Sequence, residues 1–263
     1  MAREQIVEGL VLRRWNTQET DKWVSFFSRE QGKLRLRVRG AHKQGSKMGM
    51  LSEPLNILRT RVIQGRHQQL MVQPQMVATF LNVRSNLERL SAALALTELL
   101  DRWLPEEHAE PQIYETTLMA LNALESGQPA PSVLGWTLWR LLKLFGYCPE
   151  LSGCTRCRKP HSKGEWVLDP AEGRLLCTRC AGTVHTMPRL SSGQLILLRD
   201  WLQQNAPAEQ GEPGDAHALL KLAMHYAEHY LEDSPRWLAF LTRLTASPES
   251  LFPLGRGQSP QTK

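Results

Sequence analysis

Short apolar runs, separated by glycine and proline, dominate the first 80 residues of the chain. Alternation of apolar and polar positions, rich in β-branched and aromatic residues, is typical of half-buried strands. The pattern predicts strands at 5–14, 22–29, 33–39, 54–64 and 69–80. Five short strands in so few residues favour a small closed barrel of the OB-fold type, because closure removes exposed sheet edges. Half of a β-sandwich is the alternative.

From about residue 82 the apolar positions recur every three to four residues, which is the helical period. The predicted helices are Asn82–Trp103, Pro111–Glu125, Ser132–Phe145, Ser191–Gln204, Asp215–Leu231 and a short Pro235–Thr245. The apolar face of the first is predicted to contain Leu87, Leu90, Leu94 and Leu100. The buried stripe of the fifth is predicted to contain Leu219, Leu222, Ala223, Tyr226 and Tyr230.

These periods together predict an α+β multidomain chain. Its expected parts are an OB-fold β-barrel over 1–80, a helical domain over 81–150 and 186–246, a four-cysteine zinc-binding module over 151–185 inserted between helices, and a flexible tail over 247–263. No stretch approaches the eighteen or so apolar residues that a membrane span needs, and the N-terminus lacks a signal peptide's apolar core. We therefore expect a cytoplasmic protein with no membrane partner.

Four cysteines carry the strongest chemical signal in the sequence. Cys154-x-x-Cys157 and Cys177-x-x-Cys180 are separated by nineteen residues, a spacing typical of a four-thiolate zinc site. Four thiolates close the coordination shell of one zinc ion and leave no position for water or substrate. The expected cofactor is thus one structural zinc ion. Unligated thiols and a redox pair are the weaker alternatives, and Cys148 is expected to be a small buried hydrophobe.

The excess positive charge lies in the predicted barrel. Residues 1–80 contain 14 Lys and Arg against 6 Asp and Glu, whereas the rest of the chain contains 18 against 20. A localised positive field is expected of a protein that binds a polyanion, because neutralised phosphates release condensed counterions. An anionic membrane is the less favoured partner, since no basic amphipathic helix accompanies the charge.

One predicted strand concentrates this charge. Alternation over residues 33–39 places Leu34, Leu36 and Val38 in the core and aligns four cations on the outer face, about 7 Å apart. The candidate DNA-binding residues are Lys33, Arg35, Arg37 and Arg39 on this strand, Lys43 and Lys47 on the following loop, and Arg13 and Arg14 on a strand expected to be its neighbour. A solvated edge that blocks aggregation is the alternative.

Three aromatic residues of the predicted barrel bear on the same question. Trp15, Trp23 and Phe27 could stack on bases, although a single aromatic residue is more often part of a core. The glycine-rich loop over residues 40–49 is expected to be flexible and basic, and to open no helix.

Two motifs mimic enzymes. Gly40-x-x-x-x-Gly45-Ser46-Lys47 has the serine and lysine of a phosphate-binding P-loop in reversed order, so we expect no ATP hydrolysis. His225-x-x-Glu228-His229 matches an inverted zinc-protease motif, but it lies on the polar side of its predicted helix with no third ligand evident. The chain is therefore expected not to be an enzyme.

Several short motifs, in this order, resemble one family. They are Glu19-Thr-Asp21, Gly32-Lys33, Gly40, Ser46-Lys47-x-Gly49 with Leu51 and Pro54, Glu98-Leu-Leu-Asp101, and Leu141-Leu142-x-Leu144-x-Gly146-Tyr147-x-Pro149-x-Leu151-x-x-Cys154-x-x-Cys157. Over roughly residues 5–245 the chain is similar to bacterial RecO, a family of recombination mediators.

That resemblance implies an N-terminal OB-fold, a helical domain and a zinc module that some members have lost. It also implies binding of single- and double-stranded DNA, annealing of complementary strands, and action at the bacterial nucleoid. The implied protein partners are RecR, the C-terminal tail of single-stranded DNA-binding protein and, indirectly, RecA. Two other functions remain open from the residues alone: a zinc-containing protein-interaction scaffold, and an RNA-binding factor without annealing activity.

Overall fold

Five strands close into a barrel in the N-terminal part of the chain. The computed structural model describes residues 4–17, 20–43, 45–66, 68–160, 164–169, 172–182, 188–204, 206–207 and 213–230. The strands are β1 (Glu4–Asn16), β2 (Lys22–Ser28), β3 (Gly32–Val38), β4 (Ile57–Gln64) and β5 (Gln69–Ala78). Their order around the barrel is β1-β2-β3-β5-β4, and only β3 and β5 pair in parallel. The predicted OB-type barrel is confirmed, and the half-sandwich is not.

Several strand ends differ from the prediction by one to three residues, and two of these ends lie beside left-handed residues. Strand β4 begins three residues later than the alternation predicts, and β5 ends two residues earlier. Leu55 and Phe80 have φ angles of 70° and 50°, in the left-handed region, which departs from regular extended backbone. Both side chains are buried, so packing in the core compensates for an unfavourable backbone.

A short helix, α1 (Lys47–Leu51), lies between β3 and β4. Ser46 caps it by accepting a hydrogen bond from the backbone N–H of Gly49. The expectation that the 40–49 loop opens no helix is therefore wrong. The serine hydroxyl accepts a hydrogen bond from an N–H that would otherwise be unpaired, and this is why serine favours the start of a helix. Here it does so although glycines stand nearby at positions 45 and 49.

The remainder of the described chain is helical, with a small sheet inserted. Its first elements are α2 (Leu81–Ser85), α3 (Leu87–Trp103), α4 (Pro111–Glu125) and α5 (Ala130–Leu144). They are followed by β6 (Trp166–Asp169), β7 (Arg174–Cys177), α6 (Thr178–Ala181), β8 (Arg189–Leu190), α7 (Ser192–Gln203) and α8 (Pro213–Tyr230). The inserted sheet has the order β7-β6-β8. None of the helices in the described ranges is long and apolar enough to cross a membrane.

The first predicted helix is two helices, and its buried face was predicted only in part: Leu100 is buried and Leu90 packs against the core, but the other two leucines are exposed. Asn86 is extended between α2 and α3 and caps α3 by accepting a hydrogen bond from Arg89. Leu87 and Leu94 are 74% and 40% exposed, respectively. The side of α3 that packs inward holds Ala92, Ala93, Leu96, Leu99 and Leu100. Small alanines let α3 lie close to β1, so size decides the buried face here.

The other described helices follow their predicted patterns closely. On α5, Leu134, Leu138, Leu141 and Leu142 are buried, and so are Trp136 and Trp139, which makes α5 the central helix. On α8, Leu219, Leu222, Ala223 and Tyr226 are buried. His225 and Glu228 are exposed, as expected for a solvated face. The predicted helix 235–245, the tail 247–263, and the side chains of His229 and Tyr230 lie outside the described residues.

The barrel interior is a hydrophobic core of its own, whereas part of the barrel's outer surface belongs to the core of the helices. Leu10, Leu12 and Phe27 point outward from β1 and β2 and are fully buried against the helical body. Phe27 packs edge-on against Tyr114, with ring centroids 5.4 Å apart. Half of the outer β1-β2-β3 face is thereby covered. Phe27 is a core residue, so it cannot stack on bases.

The loop between α3 and α4 packs closely against the backbone of β3. The backbone N–H of Glu107 donates to the carbonyl of Lys33 at 2.9 Å. A Cβ atom on Gly32 would lie 1.9 Å from the carbonyl oxygen of His108, and Gly32 has a φ of 70°. Only glycine fits both the close approach and the left-handed backbone. The loop thus extends the barrel beside β3.

Arg84 ties α2 to the barrel. Its guanidinium donates to the carbonyl oxygens of Thr79 and Pro54, each at 2.7 Å, and to Oδ1 of Asn56 at 3.0 Å. Asn56 is itself buried and donates to the carbonyls at the end of α1. One cation therefore satisfies acceptors on both sides of the junction.

We expect Arg84→Ala to lower the free energy of unfolding by about 3 kcal/mol, because the substitution leaves acceptors at the junction without a charged donor. Arg102→Ala is the matched control, since the polar contact of Arg102 with the described part of the chain is an exposed ion pair with Glu98 one turn away. The control should cost less than about 0.5 kcal/mol. Urea unfolding monitored by tryptophan fluorescence measures both. Equal losses in the two variants would contradict the role given to Arg84.

Candidate nucleic-acid interface and metal centre

The four cysteines of the two Cys-x-x-Cys pairs converge. Their sulfur atoms all lie within 4.8 Å of one another, and Sγ of Cys157 and Sγ of Cys177 are 3.9 Å apart. Tetrahedral coordination with zinc–sulfur bonds of about 2.3 Å requires sulfurs about 3.8 Å apart. The residues therefore fit one tetrahedral metal ion, as the spacing predicts.

Local hydrogen bonds build each cysteine turn. The N–H of Cys154 donates to the carbonyl of Lys159, and the N–H of Arg158 donates back to the carbonyl of Cys154. The second pair lies where β7 passes into α6, so the strand end and the first helical turn carry Cys177 and Cys180. Both pairs are thus fixed by backbone contacts rather than by the thiols alone.

The protonation chemistry of the cluster suits a cation. Burial opposes ionisation of Cys154, but hydrogen bonds from the backbone N–H groups of Cys157, Cys177 and Arg156 lower its pKa to about 6. The neighbouring thiols of Cys177 and Cys157 raise the pKa of Cys180 to about 12. The first thiolate forms easily, whereas the last needs a positive ion beside it.

The inserted sheet joins the core of the helical body. Trp166, Leu168 and Leu175 are buried in the same hydrophobic cluster as α5 and α8. A Cβ atom on Gly173 would lie 3.0 Å from Oη of Tyr226 on α8. A metal ion held by the four sulfurs would therefore stabilise the packing of the helices as well as the insert.

Cys148 was expected to be buried, but it is exposed. Its Sγ lies 3.6 Å from the carbonyl oxygen of Pro149. The residue follows the end of α5, just after Gly146, which adopts a φ of 87°. Cys148 lies outside the sulfur cluster and therefore serves as an internal control.

We expect the purified chain to contain about one zinc ion, and Cys154→Ser to lose that ion and unfold at a lower denaturant concentration. Cys148→Ser should keep both the metal and the stability. Metal analysis by mass spectrometry and urea unfolding give the two readouts. A wild-type chain without metal and with all thiols freely titratable would contradict the assignment.

The alternation predicted for residues 33–39 is confirmed. Leu34, Leu36 and Val38 are buried in the barrel, while Arg35 and Arg39 are exposed and Lys33 and Arg37 are half-buried. The four cations thus share one side of β3 and its end. Their surroundings, however, differ from one position to the next.

Several of the candidate cations already have partners. Nζ of Lys33 donates to the carbonyl of Asp101 at 2.7 Å, and Arg37 pairs with the carboxylate of Asp21 at 2.7 Å. Arg13 lies 3.5 Å from the Asp101 carboxylate. These groups therefore also hold the structure together, and part of their charge is compensated.

The two arginines of β1 do not lie together. Strand β2 separates β1 from β3, so Arg13 and Arg14 are not on the strand next to the basic one. Arg13 faces outward opposite Ser25, whereas Arg14 faces the other way and pairs with Glu53 at 2.6 Å. The structure brings Arg13 to the basic strand's side of the sheet and leaves Arg14 away from it.

A β-bulge aligns two tryptophans on the outer face. The register between β1 and β2 shifts between Val11 and Arg13, which reverses the facing of the residues that follow. Trp15 consequently stands opposite Trp23, and both are half-buried. The guanidinium carbon of Arg35 lies 5.1 Å from the Trp15 ring and 4.9 Å from the Trp23 ring.

Sequence reasoning identified these tryptophans singly and missed their pairing. Alternation alone, counted from Val11, would turn Trp15 into the barrel. The connection between β1 and β2 could have revealed the pairing. When the residues of the hairpin are paired outward from that connection, Trp15 lies opposite Trp23. The pair lies on the half of the face that the helices do not cover.

The basic loop is anchored beside this face. Oδ1 of Asp21 accepts a hydrogen bond from the N–H of Gly40 at 2.8 Å, and the N–H of His42 donates to the carbonyl of Thr20. Lys43 and Lys47 are exposed beyond this anchor. Within the described ranges, Arg39, Lys43 and Lys47 make no salt bridge.

Asp21 is the negative group at the centre of this arrangement. The N–H of Gly40 and the guanidinium of Arg37 hold the pKa of its carboxyl below the ordinary value of 3.8, although burial acts in the opposite direction. The carboxylate therefore stabilises the fold at pH values above its unfolded-state pKa, and this contribution is lost as the pH falls through the lower folded-state pKa.

We expect Asp21→Asn to lower the free energy of unfolding at pH 7 by about 1–2 kcal/mol, because it removes the charge from two hydrogen bonds. The difference from wild type should shrink as the pH falls below the unfolded-state pKa and through the lower folded-state pKa, because the wild-type carboxyl then becomes protonated as well. Urea titrations at several pH values test this. Glu98→Gln, at an exposed ion pair, is the control and should show no such convergence. A gap that stays constant with pH would contradict the assignment.

Comparisons with known proteins agree on one family. Residues 1–80 match the family model described as "Recombination protein O N terminal", and residues 84–238 match "Recombination protein O C terminal". A DNA repair protein RecO of Roseiflexus is 30% identical over 253 residues, covering 93% of this chain and 89% of that protein. RecO proteins of Heliobacterium modesticaldum and Desulforamulus reducens are 31% and 27% identical, over 75% and 95% of this chain and 73% and 97% of their own lengths.

Proposed function

The chain belongs to the RecO family of DNA repair proteins, and from this membership we propose that it acts as a DNA-binding recombination mediator. In this proposal it binds single- and double-stranded DNA and anneals complementary strands. With RecR, it helps to load RecA on DNA coated by single-stranded DNA-binding protein, whose C-terminal tail it contacts. It does so in the bacterial cytoplasm, at the nucleoid, without covalent chemistry of its own.

The observation that carries the DNA-binding part is the open half of the outer β1-β2-β3 face, which we call the basic face. It is defined by Arg13, Trp15, Trp23, Arg35 and Arg37, with Arg39 at its edge. Strands 2 and 3 of an OB-fold, with their neighbouring loops, are where this fold binds oligonucleotides. The helices cover only the other half of this face.

The candidate cations divide into two groups in this proposal. Arg35, Arg39, Lys43 and Lys47 make no salt bridge within the described ranges and are assigned to phosphate groups directly. Lys33, Arg37, Arg13 and Arg14 hold protein acceptors, so they contribute mainly through their field. A phosphate contact by Arg37 would first have to separate it from Asp21.

Backbone contacts of this kind suit strand annealing. A protein that brings two strands together must reduce phosphate repulsion and leave the pairing edges of the bases accessible. Guanidinium and ammonium groups do this without reading sequence. If about six phosphates are neutralised, the log–log salt slope for single strands is near −4.

The four-cysteine cluster is assigned to one structural zinc ion. Cys154, Cys157, Cys177 and Cys180 supply four sulfurs and close the shell. The ion's part is to hold the insert against α5 and α8, because the buried residues of the insert are in their shared core. No step of DNA binding is assigned to the metal.

We expect the double variant Arg39→Glu/Lys43→Glu to bind mixed-sequence single-stranded DNA at least about tenfold more weakly at low salt, because two phosphate contacts become repulsive. The salt slope should fall in magnitude by about 1.4. Annealing of complementary oligonucleotides should slow in parallel, and zinc content should not change. Fluorescence anisotropy across a salt series measures the affinity and the slope.

The double variant Arg59→Glu/Arg61→Glu is the matched control. It makes the same change in charge on β4, where both arginines are exposed and pair with Glu8 and Glu4. Its affinity should stay within about threefold of wild type. Equal losses in both variants would show that the effect comes from net charge alone. No loss in either variant would remove Arg39 and Lys43 from the DNA site. Tighter binding to RNA of the same sequence would favour an RNA-binding factor instead.

A further inference from the structure

The basic face holds two rows of three residues across β1, β2 and β3. One row is Trp15, Trp23 and Arg37, and the other is Arg13, Ser25 and Arg35. Arg35 reaches diagonally over both indole rings, and the guanidinium carbon of Arg13 lies 5.9 Å from the Trp15 ring. Two guanidinium groups and two indole rings thus lie against one another on the outer surface of the barrel.

Ser25 lies beneath this stack with an unsatisfied hydroxyl. Its position in β2 faces outward, yet the residue is only 4% exposed. Its Oγ has no hydrogen-bond partner among the described residues. A buried hydroxyl without a partner is unfavourable and uncommon. A buried hydroxyl is therefore left without a hydrogen bond at the position that Arg13 and Arg35 flank on the neighbouring strands.

The covered half of the same face shows how the chain packs aromatics that have only a structural role. Phe27 is fully buried and meets Tyr114 edge-on. Trp15 and Trp23 instead stay half-buried, with a cation as their neighbour rather than a helix. A pair of large rings left at a surface between cations is the arrangement with which proteins bind unpaired bases.

We propose that Trp15, Trp23 and Arg35 form a stacking subsite for an unpaired nucleobase of single-stranded DNA. The proposal rests on the DNA-binding function above and adds selectivity for unpaired bases to it. Bases in a duplex already stack on one another and offer no free face, whereas those of a single strand do. The subsite thus adds affinity for single strands that the phosphate contacts alone cannot supply.

Arg35 occupies the stack until DNA arrives. A cation over a partly exposed indole is held weakly, so an incoming base can displace the guanidinium. The displaced group keeps a favourable position beside the phosphate that follows the base. Its movement uncovers the hydroxyl of Ser25, which can then bond to a polar edge of the base. This single exchange therefore gives the base a stacking partner, the phosphate a cation and the serine hydroxyl a hydrogen bond.

The experiment compares three ligands of equal phosphate number: an oligothymidylate, the same backbone with abasic sites, and a duplex. Wild type should bind the oligothymidylate more tightly than the abasic strand. Trp23→Ala should weaken binding of the oligothymidylate about tenfold with an unchanged salt slope, as expected for a lost base stack. Its affinities for the abasic strand and the duplex should stay within about twofold. Trp23→Phe, which keeps a ring, should recover most of the loss.

A second measurement uses the unmodified chain and does not depend on how a variant folds. Ultraviolet crosslinking to a single strand containing 5-bromouracil should form adducts that peptide mass spectrometry assigns to Trp15 or Trp23. Adducts confined to other residues would overturn the subsite. An equal loss for all three ligands in Trp23→Ala, or no loss at all, would also overturn it while leaving DNA binding in place. Failure of wild type to bind any of the three would reject the proposed function itself.

Discussion

Burial of half of the outer β1-β2-β3 face is the constraint on which the rest of the molecule depends. Leu10, Leu12 and Phe27 leave water by packing against the helices, and this fixes the orientation of the barrel on the body. The other half of the same face is left for charged and aromatic groups. The border between the core and the proposed binding surface thus runs across three strands, between Ser25 and Phe27 on β2.

A count of charged residues overstates how many cations on such a surface are available to bind a ligand. Lys33, Arg37 and Arg13 are among the cations that make residues 1–80 basic, yet each has an acceptor within the protein. Paired groups still add to the field, but a phosphate must compete for them. Among the described residues, the candidate cations without salt bridges are Arg35 within β3, Arg39 just after it, and Lys43 and Lys47 in and after the loop that Asp21 anchors. A carboxylate therefore helps to present the basic loop rather than opposing it.

The sequence predicted what short-range periodicity determines. Alternation located the strands and the outward cations, helical spacing located most helices, and cysteine spacing located the sulfur cluster. It missed what depends on contacts distant in sequence. The left-handed residues Leu55 and Phe80, the bulge that turns Trp15 outward and the alanine face of α3 are set by tertiary packing. Ion pairs such as Arg37 with Asp21 are likewise invisible to composition.

The segment around Glu107 joins two parts of the chain that look separable in sequence. Its backbone hydrogen-bonds to Lys33 of β3, near the short parallel pairing of β3 with β5. A segment of the helical part therefore covers one side of the barrel. A truncation after residue 80 would remove that segment and uncover backbone on β3 together with the apolar flank at Phe27. Copies of such a fragment would be prone to associate through the exposed strand. The surface of the barrel should therefore be studied in the intact chain.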